Sequence, residues 1–280
     1  MKKFFFVSVF LLISCSAHLP KYRMQWSVKE GKPIIYETTS SKIDISDRFT
    51  ISGFKILSDQ NIRQQVKKDL INFVIPLPTI KTTLSNNDSG FNVKSVSIKP
   101  EYSAPAKTIE EKQFREFTNN RAGYVEVLAD LDKYGNNLSF FLNQQQRNFL
   151  TFVFSLPRKN LKAGDSWNLP VNLLYISNGF VSTSTMKDSK VTLDKIREDK
   201  NGDTIAELFY ILAEKVEGQF EYSATDIIPL TTEYAYIAYA EFNISKGRWD
   251  KYIGIAYQTG TGLMAVENMT VYALLSQNID

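Results

Sequence analysis

The chain has 280 residues and a formal net charge of +3, which suits one large domain or two small ones and gives no strong electrostatic field for nucleic acid. It contains one cysteine, Cys15, and one histidine, His18. A domain folded from the residues after them therefore has no disulfide, Ser-His-Asp triad, Cys-His pair or histidine-ligated zinc site.

The first residues predict export and a lipid anchor. Two lysines precede an apolar run over residues 4–13, which is too short for a membrane span but is typical of a signal peptide. The run ends in Leu12-Ile13-Ser14-Cys15, which resembles the lipobox of bacterial lipoproteins. The resemblance implies a signal peptide at residues 1–14, lipidation of Cys15 and a tether at residues 15–24. An ordinary secretory signal with a chance cysteine is the alternative.

The residues after the cysteine bear on location. An aspartate beside the lipidated cysteine resembles the inner-membrane retention signal, and an acidic cluster there resembles the export signal of surface lipoproteins. Residues 16–20 contain neither, and the first acidic residue is Glu30. The resemblance therefore implies a lipoprotein on the periplasmic face of the outer membrane. Residues 25–280 would form its β-rich domain, as one body or as two lobes divided near residues 135–155.

The next part of the chain is predicted mainly as strands, from β-forming residues or from apolar–polar alternation. The segments are residues 33–39, 43–45, 49–51, 91–99 and 123–132. Residues 61–74 carry apolar side chains at helical spacing and fit a helix or a strand with a polar face. Thr108 and Glu111 fit a capping box that opens a short helix. Residues 139–150 are ambiguous, and their glutamines favour a short helix.

The second half gives sharper signals and predicts an antiparallel meander. A buried strand is predicted at residues 151–156. Two hairpins and a final strand follow, at residues 191–196 with 204–212, 234–242 with 249–257, and 263–275. The predicted fold class is mainly β: an antiparallel sheet or sandwich, or a half-barrel curled around a helix, with one to three short helices.

One pattern in this half carries a second resemblance. Phe154-Ser155-Leu156-Pro157 is followed by a run from Leu161 that ends in Gly164-Asp165-Ser166-Trp167. This resembles uncharacterised bacterial envelope lipoproteins with an LP…GDSW motif, which supply no established activity. The pattern predicts a tight turn at Gly164 and Asp165, after which a largely buried Trp167 opens a strand. Gly-Asp-Ser also resembles the motif of one lipase class, whose serine needs a downstream histidine that this chain lacks.

Three further groups of residues suggest a modification, metal or catalytic site. Thr204 lies in a tripeptide, Asp203-Thr204-Ile205, that resembles the O-glycosylation site of one Gram-negative phylum. Residues 199–203 carry oxygen-bearing side chains as calcium loops do, but the glutamate required at position 12 is absent, so a hairpin turn is predicted. Glu110, Glu111 and Glu116 would serve as the acid and base of a glycan-acting enzyme only if two of them faced each other across a cleft.

These observations predict a lipid-anchored envelope module that binds without catalysing. We expect a non-catalytic accessory subunit of an outer-membrane protein assembly, with no cofactor and no metal. Its expected partners are the membrane, through the lipid, and other outer-membrane or periplasmic proteins, but not nucleic acid. One alternative is a carrier of lipid or another apolar ligand in a curled sheet. The other is a carboxylate-dependent glycan-acting enzyme.

Overall fold

The computed structural model describes residues 20–43, 51–174, 180–221, 227–261 and 268–276. The strands are β1 Ile34–Ile43, β2 Ile80–Asn87, β3 Gly90–Ser97, β4 Val125–Asp132, β5 Ser166–Asn168, β6 Phe180–Glu198, β7 Thr204–Glu221, β8 Ile227–Asn243, β9 Arg248–Thr261 and β10 Asn268–Ser276. The helices are α1 Gly53–Ser58, α2 Gln60–Ile71, α3 Ile109–Asn120 and α4 Gln144–Phe154.

The strands form one antiparallel sheet in the order β4-β3-β2-β1-β10-β9-β8-β7-β6-β5. Strands β5 to β10 are neighbours in chain order, which confirms the predicted meander and both of its hairpins. Pairing of β1 with β10 joins the strands of the first half to those of the second. The mainly β, antiparallel prediction is confirmed, although the described residues form four helices rather than one to three. The predicted strand at 49–51 and most of that at 43–45 lie outside the described residues or outside any strand.

The main core lies on the concave side of the sheet, around α4. Buried side chains of both ends of the strand order, such as Val127 of β4 and Leu193 of β6, belong to one cluster with Phe152 and Val153 of α4. The ring of Phe152 stacks on that of Tyr236 with centroids 4.4 Å apart. The sheet therefore bends so that its two halves face each other across the core, and the helix fills the space between them.

Buried donors from distant segments cap the end of α4. The last carbonyls of a helix have no partner within the helix, so a buried end needs donors from elsewhere. Here Trp26 Nε1 donates to Phe154 O at 2.8 Å. Trp249 Nε1 donates to Val153 O at 2.7 Å, and the Tyr252 hydroxyl donates to Phe152 O at 3.0 Å.

The predicted strand at residues 151–156 is therefore wrong, because residues 151–154 are the last turn of α4. The sequence Thr-Phe-Val-Phe favours a strand locally. A capping box at the start of the helix and the three donors at its end outweigh that preference.

The convex side of the sheet is covered in part by α1 and α2. Ile56, Val66 and Leu70 belong to a second buried cluster with side chains of β7, β8 and β9. The Asp59 carboxylate accepts from two backbone amides at the start of α2, which resolves the ambiguous segment 61–74 as a helix over most of its length. In the part of the chain that the structure describes, no helix is both long and apolar enough to cross a membrane.

The segment from Tyr22 onward, which includes the last residues of the predicted tether, crosses one end of the sheet. Tyr22 pairs with Leu161, Trp26 N donates to Lys133 O at 2.9 Å, and Ser27 N donates to Gly247 O at 2.9 Å. We call this the tether end, formed by residues 20–33, 132–136, 155–165, 199–203 and 244–247. Strands β6 to β9 have 14 to 19 residues each, so they extend roughly 45–60 Å from it.

Candidate functional site

An exposed apolar surface lies along β4, the last strand at one end of the sheet order. Helix α3 forms one side of it. Thr108 caps this helix as predicted, since Thr108 Oγ1 accepts from Glu111 N at 3.1 Å, but the predicted capping box is incomplete because the Glu111 carboxylate accepts from Lys107 N. The helix leaves Phe114 and Phe117 exposed, and 58% of Phe117 is accessible to solvent.

A loop between β4 and α4 forms the other side. The side chain of Asn143 caps α4 together with Gln146, so the helix begins only after residues 137–142. Those residues run along β4, because Leu138 N donates to Asp130 O at 2.8 Å and Ser139 Oγ accepts from Asp130 N at 2.7 Å. Phe140 is 84% exposed and Phe141 is fully exposed.

Two grooves open onto the outward face of β4. A groove of about 490 Å³ is lined mainly by residues from β4 and the loop: Asn92, Leu128, Ala129, Asp130, Leu138, Ser139, Phe140, Phe141 and Leu142. A second, of about 220 Å³, is lined by Ile80, Phe114, Phe117 and Glu126 among others. Glu126 and Leu128 are two apart on one strand, so they face the same side and connect the grooves. We call this the β4 surface, with Phe114, Phe117, Leu128, Phe140 and Phe141 as its apolar residues.

The two acidic side chains on the outward face of β4 between its ends, Glu126 and Asp130, are engaged within the protein. Arg121 Nη2 lies 2.7 Å from Glu126 Oε2. Burial by itself raises the pKa of Glu126, but hydrogen bonds from Arg121 and Ser97 outweigh burial and hold that pKa below its ordinary value. The Asp130 carboxylate accepts from Asn87 and Asn92. Apart from the exposed Lys94, which lies opposite Leu128 in the register, the contacts that remain available are mainly aromatic and aliphatic, and they suit binding of an apolar surface.

The turn predicted from the GDSW pattern forms. Gly164 has a φ of +91°, and Asp165 Oδ2 accepts from Lys162 N at 3.0 Å. Trp167 is the middle residue of the short strand β5, which begins at Ser166, and it is only partly buried rather than largely buried, because β5 is the last strand at its end of the sheet. The hydroxyl of Ser166 lies 3.3 Å from Thr192 Oγ1. The predicted lipidation site, Cys15, lies outside the described residues.

The predicted glycosylation residue, Thr204, begins β7 in a half-buried position. Its backbone N donates to Ser245 Oγ at 3.0 Å. The neighbouring Asp203 lies 2.6 Å from Lys246 Nζ. The hydrogen bond from Lys246 and another from Asn243 lower the pKa of Asp203. O-glycosylation of Thr204 stays a prediction.

The acidic residues of α3 are partly used in local structure. The Glu111 carboxylate accepts from Lys107 N at 2.7 Å and pairs with Arg115 one turn along the helix. These hydrogen bonds, first from Lys107 and then from Arg115, lower the pKa of Glu111. Among the residues that the structure describes, no three histidine, cysteine, aspartate or glutamate side chains are grouped as metal ligands would be.

Phe140 and Phe141 are not predicted as candidate site residues from the sequence, because the glutamines within residues 139–150 favour one short helix there. A signal was present in Asn143 and Gln146, which have the spacing of a capping box. That box places the start of α4 after the two phenylalanines and leaves them on a loop beside a strand.

The chain was compared with protein-family models, curated proteins and solved structures. No family model, curated protein or solved structure matches the chain.

Proposed function

We propose that this protein is a lipoprotein of the bacterial outer membrane, anchored through Cys15 on the periplasmic face, and that it works as a non-catalytic accessory subunit of a membrane protein assembly. The β4 surface is the docking site for its protein partner. The partner presents a complementary apolar surface, because the exposed side chains of the β4 surface are mainly aromatic and aliphatic, while Glu126 pairs with Arg121 and Asp130 accepts from neighbouring amides.

The exposure of Phe140 and Phe141 is the observation that carries this proposal. Two adjacent phenylalanines at 84% and 100% exposure are costly in a protein that stays alone in water. Leu128, at 62% exposure, lies in the same groove. Aromatic residues in such positions are typical of the anchors that dominate protein interfaces.

The packing of α4 does not favour the carrier alternative. A carrier needs open apolar space inside its curled sheet. Here Phe152 and Val153 occupy the concave side, and Trp26, Trp249 and Tyr252 hold the end of the helix in place. The glycan-acting alternative is not favoured either, since Glu111 is engaged with Lys107 and Arg115.

The test compares complexes extracted from membranes in a mild detergent. The wild-type protein should migrate with a membrane partner, well above the mass of one chain. Phe140→Ser with Phe141→Ser removes two apolar anchors, and interface anchors of this kind are worth about 2 kcal/mol or more each. This double variant should therefore migrate as a monomer while its folding stays unchanged.

The matched control is Val74→Ser with Leu77→Ser. Both residues are exposed, but they lie in the connection between α2 and β2 rather than beside β4. The control should keep the complex. A wild-type protein that migrates as a free monomer, or equal loss of the complex in both double variants, would contradict the proposal.

A further inference from the structure

A basic pocket lies at the tether end, away from the β4 surface. Its volume is about 250 Å³, and it lies between the segment leading into β1 and the turn joining β8 to β9. It is lined by Ser27, Lys29, Lys32, Pro33, Ile34, Ser245, Lys246 and Arg248. Four of these eight side chains are cationic, and none of the described residues that line the pocket is acidic.

The cations of this pocket are only partly neutralised. Lys246 pairs with Asp203 at 2.6 Å, whereas Arg248 Nε lies 3.7 Å from Asp250, beyond hydrogen-bonding distance. Arg248 Nε is buried and has no hydrogen-bond partner among the residues that the structure describes. Within the described part of the chain, Lys29 and Lys32 make no ion pair, so their positive charge stays available to a ligand.

Hydroxyl groups in the same pocket complete a donor set. Ser245 Oγ accepts from Thr204 N, which leaves its own O–H free to donate. Ser27 is exposed beside the lysines. Ammonium, guanidinium and hydroxyl donors that line one small pocket suit a compact oxyanion with several acceptor atoms, and a phosphate group has that chemistry.

The position of the pocket indicates where such a phosphate would come from. Ser27 follows Tyr22 by five residues, and Tyr22 follows Cys15 by seven, so an extended chain of about 3.3 Å per residue reaches at most about 40 Å from the lipid to the pocket. If Cys15 is lipidated as proposed, the pocket lies within reach of the headgroups of the membrane.

We propose that the pocket formed by Lys29, Lys32, Lys246 and Arg248 binds a phosphate group, supplied by an anionic lipid headgroup or by free phosphate. The binding site itself is independent of the β4 surface and its partner. Only the choice of the headgroup as the source rests on the proposed anchor.

The test is a titration of the lipidated, full mature protein in a neutral detergent, followed by microscale thermophoresis. The probes are dihexanoyl phosphatidylglycerol, inorganic phosphate, and dihexanoylglycerol, which has the same acyl chains without phosphate. The first probe should bind and the last should not. Lys29→Gln with Lys32→Gln should weaken binding about tenfold or more, because each basic group near an anionic lipid contributes severalfold to affinity.

The control is Lys159→Gln with Lys162→Gln, which removes two exposed lysines from the same end but outside the pocket. It should leave binding nearly unchanged. Binding of phosphatidylglycerol supports the headgroup as the source, and binding of inorganic phosphate alone supports free phosphate. Binding of neither probe, equal binding of dihexanoylglycerol, or equal loss in both double variants would overturn the proposal. No membrane partner is present, so failure here is distinct from failure of the docking proposal.

Discussion

Tyr252 and Tyr210, two buried tyrosines of the concave core, allow a matched test of the hydrogen bonds that cap the end of α4. The Tyr252 hydroxyl donates to Phe152 O at 3.0 Å and lies 2.6 Å from the Tyr236 hydroxyl. Tyr252→Phe keeps the ring but leaves a buried helix carbonyl without this donor. We expect a loss of about 1–3 kcal/mol in the free energy of unfolding, or about 2–4 °C in Tm for each kcal/mol.

Tyr210 is the control in the same cluster, with its ring centroid 5.8 Å from that of Tyr252. Its hydroxyl is buried without a hydrogen-bond partner among the described residues. Tyr210→Phe removes an unsatisfied group, so it should be neutral or stabilising. Burial raises the pKa of the Tyr210 and Tyr252 hydroxyls well above the usual value, so both stay protonated at neutral pH. The difference in unfolding free energy between the two variants should therefore be the same from about pH 6 to pH 9.

Urea unfolding followed by tryptophan fluorescence measures both variants. The three tryptophans include Trp26 and Trp249, which cap α4 and report directly on this core. If Tyr210→Phe destabilised the protein as much as Tyr252→Phe, the hydroxyl contact with α4 would not be the source of the effect, and the capping argument would be refuted.

Three further predictions follow from other parts of the structure. Cys15→Ala should abolish labelling by a fatty-acid probe and release the protein from membranes, and continued labelling would refute the anchor. Gly135→Ala should lower Tm for two reasons: the φ of +75° at this position costs an alanine about 1–2 kcal/mol, and the new Cβ would overlap the carbonyl of Phe154. An unchanged Tm would contradict this prediction. Asp132→Ala should cost about 1.5–3 kcal/mol, since its carboxylate accepts from two turn amides and from Arg158. Burial tends to raise the pKa of Asp132, but hydrogen bonds from the Asn136 side chain, the two turn amides and Arg158 hold that pKa below its ordinary value. The stabilising contribution of Asp132 is therefore present above the unfolded-state pKa of about 3.9 and should be lost as the pH falls through the lower folded-state pKa; equal acid sensitivity of wild type and variant would contradict the assignment.

The strands that the sequence predicted best are those set by local signals. Apolar–polar alternation over residues 91–99 predicted β3, and the turn predicted at residues 199–203 lies between the paired strands β6 and β7. In these segments the side chains that face the core and the residues that reverse the chain are close in sequence. The Thr108 cap of α3 was predicted for the same reason.

Elements decided by distant contacts were not predictable in the same way. The local sequence of the last turn of α4 predicts a strand. The side chains that donate to the last carbonyls of this helix, Trp26 and Trp249, are about 100 residues or more away along the chain. The pairing of β1 with β10 likewise joins segments from opposite ends of the sequence. The β4 surface is only partly predictable from the sequence. The spacing of Asn143 and Gln146 indicates the cap of α4, but the exposure of Phe141 depends on the fold around it.

Photo-crosslinking in intact cells tests the docking surface most directly. With p-benzoylphenylalanine in place of Phe141, the account predicts a crosslink to an outer-membrane or periplasmic protein. The same probe in place of Val74, which is exposed away from β4, should give none. A protein that crosslinks equally from both positions, or from neither, would contradict the claim that the β4 surface binds the partner.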